Sequence, residues 1–95
     1  MTFETLAAAF KAQSPIDIDG TPFDFSLTAF RESLPHETEA IHVEFTAINM
    51  SGDQHRGKLH LGKGRYTDAE IAKLAVHTIR EIAAGNIPHG TIQHV

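Results

Sequence analysis

Ninety-five residues fit one domain, 1–95, and leave no room for a second. The chain has no cysteine, which excludes a disulfide framework and a cysteine-ligated zinc site. Apolar residues make up 41% of the chain, above the disordered range, and the formal net charge of −4 conceals a strong segregation along the sequence.

In chain order, Thr2 is placed to cap a first helix whose apolar positions Phe3, Leu6, Ala7 and Phe10 follow at helical spacing, and Pro15 stops it. Ile16 and Ile18 then alternate with Asp17 and Asp19, and Phe23, Phe25, Leu27 and Ala29 alternate with Asp24, Ser26 and Thr28. Period two reads as strand, with Gly20 and Pro22 supplying the turn between the two runs. FRESL reads either as the end of the second strand or as the start of a short helix, and PHET (35–38) as loop.

Ile41, Val43, Phe45 and Ala47 give the clearest alternation in the chain. MSGDQHRG reads as loop, and Leu59 and Leu61 mark a shorter partner strand. With both apolar sets facing the core, Phe45 is expected to pair with Leu59 or Leu61, which sets His60 beside Glu44 or Thr46. Thr67-Asp-Ala-Glu70 is a capping box, with Tyr66 and Ile71 as the matching hydrophobic staple. Ile71, Leu74, Ala75, Ile79 and Ile82 form the buried stripe of the helix that follows, and Gly85 ends it. Residues 91–95 are a candidate edge strand. The expected fold is therefore α+β and two-layered: an antiparallel sheet of three to five strands with two helices on one face, in the order α-β-β-β-β-α, with the C-terminal strand open.

Five residues, Asp17-Ile-Asp19-Gly20-Thr21, resemble the run that opens the haloacid-dehalogenase-like phosphohydrolases, where the first aspartate is the nucleophile. In that family the run follows a hydrophobic parallel strand of a doubly wound fold. Here Lys11-Ala-Gln-Ser-Pro15 precedes it and a new alternating strand follows, so the run reads as a hairpin turn. Asp17, Asp19 and Asp24 offer hard oxygens, but Gly20 comes too early for an EF-hand loop.

The layout also resembles double-stranded-RNA-binding domains: a helix, strands ending in a hairpin, then the basic loop Gly62-Lys-Gly-Arg65 running into a helix, with Pro35-His36 ahead of the third strand. That family's lysine-rich helix start is replaced here by Thr67-Asp68-Ala69-Glu70, and the first half of the chain is acidic. The resemblance implies shape readout of duplex RNA, and these departures fall on the phosphate-neutralising positions that such readout uses.

Three functional surfaces follow from the charges. Residues 1–54 hold nine acids against Lys11 and Arg31. Among them Asp17, Asp19, Asp24, Glu37, Glu39 and Glu44 form a candidate acidic docking surface for a protein partner, as in compact regulatory, inhibitor or immunity proteins, phage-type regulators included. The window 55–66 holds Arg56, Lys58, Lys63 and Arg65 and no acid, a candidate anion- or nucleic-acid-binding element, with Gly62-Lys-Gly-Arg65 ahead of a helix N-terminus. Seven histidines make His42, Glu44 and His60 the candidate metal ligands, although no His-Glu-x-x-His spacing is present.

No serine sits in an elbow motif and no cofactor fingerprint appears. The leading expectation is thus a non-enzymatic, cofactor-free binding protein. Its N-terminus lacks a basic n-region, and no apolar run approaches the ~20 residues of a membrane span, so a cytoplasmic location is expected. Homodimerisation through the opposite charge clusters stays open.

Overall fold

A computed structural model of the chain describes residues 1–33 and 39–95. The elements are α1 (Phe3–Gln13), β1 (Ile16–Ile18), β2 (Thr21–Glu32), β3 (Ala40–Ile48), β4 (Gln54–Gly62), α2 (Asp68–Ala83) and β5 (Ile92–His94). The five strands form one sheet in chain order. The first four are antiparallel, and β5 joins β4 in parallel. The expected α+β, two-layer fold with its C-terminal strand is present, and β4–α2–β5 makes a β-α-β unit in which the helix carries the chain back to start a parallel strand. Among the described residues no helix is long and apolar enough to cross a membrane.

Each helix is fixed by its ends. Thr2 caps α1, its hydroxyl accepting from the Thr5 N–H at 3.1 Å. At the other end the Ser14 hydroxyl accepts from the Phe25 N–H at 2.9 Å, tying the helix exit to β2. In α2 the Thr67 hydroxyl accepts from the Glu70 N–H at 3.2 Å and the Glu70 carboxylate accepts from the Thr67 N–H at 2.9 Å. The helix closes in a Schellman motif: the Gly85 N–H donates to Ile82 O at 3.0 Å and the Asn86 N–H to Glu81 O at 2.9 Å, with Gly85 at φ 81°.

Thr67→Ala should lower stability by about 1 kcal/mol, read as a shift in the urea midpoint. The Glu70 carboxyl is held below the usual carboxylate range, first by the Thr67 backbone N–H, then by the Thr67 side chain and by the Lys73 charge. Its folded-state pKa is thus depressed, so its contribution is complete above about pH 4.3 and is lost as the pH falls through the folded value. The advantage of the native chain over Glu70→Ala should shrink over that acid window.

The β1–β2 hairpin turns through Asp19 and Gly20, both at positive φ (52° and 82°), between the closing pair Ile18 and Thr21. This is the two-residue turn that Asp-Gly favours, so the Asp-x-Asp-Gly-Thr run is a turn here. The core is shared by the inner faces of all four antiparallel strands and the two helices: Leu6 and Phe10 of α1, Phe25, Val43, Phe45, Leu59 and Leu61 of the sheet, and Ile71, Ala75 and Ile79 of α2 are all buried. Phe10 stacks on Phe25 with centroids 5.0 Å apart and lies 5.8 Å from the Phe45 ring.

Of the two readings of FRESL, its described part follows the strand, since β2 runs on to Glu32. Two details differ from the expectation. A bulge between Leu27 and Ala29 takes up one extra residue, so Ala29 turns outward opposite Glu44 while Phe30 pairs with Val43. Lastly, β4 starts at Gln54 and pairs Phe45 with Gly57, Val43 with Leu59 and Ile41 with Leu61, two residues from the nearer of the two expected registers. The cause is a compact turn. Asn49 Oδ1 accepts from the N–H groups of Ser51 (3.0 Å) and Asp53 (2.9 Å), Gly52 takes φ 87°, and the chain re-enters the sheet early. Inner and outer faces keep their identity because the shift is even.

Candidate binding face

The helices cover one side of the sheet, and the other side is the chain's open polar face. The register orders it in rows: Asp24 beside Ile48 and Gln54; Ser26 beside Thr46 and Arg56; Ala29 beside Glu44, Lys58 and Ile92; Arg31 beside His42, His60 and His94. Asp17, paired with Pro22, extends the face at its β1 edge. The charges are graded along the strands. Asp17 and Asp24 lie at the end where the two hairpins turn, Arg56 and Lys58 lie mid-face, and Arg31 with three imidazoles closes the far end. A concavity of about 560 Å³ opens over Ser26, Thr28, Glu44, Thr46, Arg56 and Lys58, with His89 and Gly90 along its rim.

The structure gathers only part of the expected acidic surface. Asp17, Asp19 and Asp24 share the hairpin end, where Asp17 Oδ2 accepts from the Gly20 N–H at 3.3 Å and Arg80 Nε donates to the Asp17 carbonyl at 3.3 Å. Glu44 stands mid-face opposite Lys58. Glu39 lies at the opposite end of the sheet, where its carbonyl accepts from the Lys63 N–H at 3.2 Å. Glu37, like the PHET segment and Pro35-His36, lies outside the described residues.

The basic window is split as well. Arg56 and Lys58 alternate onto the open face, whereas Lys63 and Arg65 sit in the turn before α2. Lys63 Nζ pairs with Glu32 at 3.4 Å, and the Arg65 side chain lies over Gly62, where a Cβ would meet its Cδ at 2.6 Å. At the α2 N-terminus the Thr67 and Glu70 N–H groups already have partners from the capping box, so they do not point to a phosphate.

The candidate metal trio is not assembled. His42 faces His60 directly, the two rings stacked with centroids 4.4 Å apart and 15° between planes, and Glu44 lies one row away beside Lys58. Rings so nearly parallel do not aim nitrogens at a common point, and among the described residues no group of three His, Cys, Asp or Glu side chains could hold a metal ion. The residue that does approach His60 is His94, with Nδ1 atoms 2.9 Å apart. Sequence reasoning left it out of the site because the pairing partner of residues 91–95 is set by the α2 crossover and not by the local pattern.

No protein-family model, no curated protein and no solved structure matches this chain.

Proposed function

We propose that this chain is a small non-enzymatic binding protein that docks a protein partner through the open face of its sheet, with the acidic hairpin end and the basic mid-face engaging complementary charges. The observation that carries this reading is the grading of charge along one exposed, helix-free face, from Asp17, Asp19 and Asp24 to Arg56, Lys58 and Arg31. Charge patterns of this kind fix register and steer encounter. The open face favours docking over chemistry, since catalytic groups generally work in water-excluded sites.

The test is quantitative capture from a lysate of the host cell, comparing the native chain with Asp17→Lys/Asp24→Lys/Glu44→Lys. Loss of a stoichiometric protein partner in the variant is expected, and unchanged capture would overturn the reading.

A second reading, nucleic-acid binding, is favoured by one observation: Arg56 and Lys58 project side by side over the concavity. It requires that labelled single-stranded or duplex DNA or RNA bind with an affinity that falls steeply with salt, and that Arg56→Ala/Lys58→Ala abolish it. Absence of binding at low salt removes it.

A further inference from the structure

We propose that β5 and the segment leading to it form a proton-released strap: docked along β4 when the His60–His94 pair carries at most one positive charge, and freed when both imidazoles are charged. Few contacts hold the strap, and at its leading end the His89 ring lies 5.8 Å from the His55 ring of β4. Three residues, Ile92–His94, pair with Lys58–His60, and the Val95 N–H donates to the His60 carbonyl at 2.9 Å. Ile92 and Val95 remain 46% and 40% exposed, so burial of apolar surface contributes little to the attachment. The fixed contact is the imidazole row. His42 stacks on His60 at 4.4 Å, and the His60 and His94 rings meet edge-on with centroids 4.8 Å apart.

The 2.9 Å between the two Nδ1 atoms sets the chemistry. At that distance one nitrogen donates and the other must offer a lone pair. A neutral pair does this, and a singly protonated pair does it more strongly. A doubly protonated pair has two donors facing each other and two like charges in contact. Among the described residues the register neighbours add to the repulsion: Arg31 of β2 stands opposite His42, and Lys58 of β4 lies one row from His60 and beside Ile92. The one carboxylate nearby on β3, Glu44, is opposite Lys58. α2 packs on the other side of β4.

The released strap therefore binds more protons than the docked one, and linkage makes docking weaken as the pH falls. Release would remove the His89–Gly90 rim from the concavity and expose the outer edge of β4. The inference concerns the strap alone and does not depend on what the open face binds.

The test is the {1H}–15N heteronuclear NOE of Gln93, His94 and Val95 in the full chain at pH 7.5 and pH 5.0, with Val43 and Leu59 as internal references. Sheet-like values at pH 7.5 should drop to those of a free tail at pH 5.0 while the two references hold. In His60→Gln and in His94→Gln, which keep a hydrogen-bonding side chain but cannot charge, the strap should stay ordered at pH 5.0. Any of three results overturns the inference: a strap already mobile at pH 7.5, no drop at pH 5.0 in the native chain, or a drop that persists in either variant or extends to Val43 and Leu59.

Discussion

Phe10→Ala should lower stability by about 3–5 kcal/mol, measured as a fall in the urea midpoint at unchanged slope. Phe10 is fully buried, and its ring meets both Phe25 and Phe45. Truncation removes the transfer free energy of the ring and leaves a space whose walls belong to two other rings fixed on β2 and β3. The effect should also be felt in the helix. α1 has 11 residues and buries only Leu6 and Phe10 along its length. Helices this short are marginal without tertiary contacts, so the variant should lose part of the α1 signal by circular dichroism before the sheet melts. Phe3→Ala is the control: Phe3 is 41% exposed, and its change should stay within about 0.5 kcal/mol. Equal midpoints for the native chain and Phe10→Ala would show that α1 is not docked as described.

The parts of this fold that were legible in the sequence are those with a local chemical cause. Thr2 and Thr67 mark helix starts because their hydroxyls satisfy orphan N–H groups, Gly85 marks a helix end because it accepts positive φ, and Asp19-Gly20 marks a hairpin because both positions need that conformation. The parts that were not legible depend on partners distant in sequence. Thr28 becomes a bulge only through its pairing with β3, so Ala29 and Phe30 exchange faces without any signal in the alternation. His55 and Gly57 occupy inner-face positions of β4 yet are not apolar side chains, so the strand looks as if it begins at Lys58.

The candidate site was legible to the same degree. The charge window 55–66 was visible as a sequence cluster, but strand alternation sends Arg56 and Lys58 to the open face and the turn carries Lys63 and Arg65 away. Likewise Glu44 was grouped with acids that lie at two different ends of the sheet, while its nearest opposite charge, Lys58, was counted in another cluster. A list of charges in sequence order becomes a surface only once the register is known.

Gly57 offers the sharpest test of that register. A methyl group at this position would lie on the Phe45 ring, 2.8 Å from Cζ and closer still to Cε2. The ring cannot swing aside freely, because Phe10 and Phe25 stand 5.8 and 6.0 Å from it and Phe45 is 1% exposed. Gly57→Ala should therefore destabilise by about 1–3 kcal/mol through overpacking, although alanine has no conformational disadvantage in a strand relative to glycine. The double variant distinguishes this cause from a generic surface effect. Phe45→Leu alone removes packing and destabilises, but it also vacates the space that the new methyl needs. In the Phe45→Leu background the cost of Gly57→Ala should accordingly fall well below its cost in the native chain, a coupling beyond the ~0.5 kcal/mol scatter of independent sites. Additive effects within that scatter would mean that Phe45 and Gly57 do not face each other, and with them the register of β3 on β4, and the rows of the open face built on it, would fail.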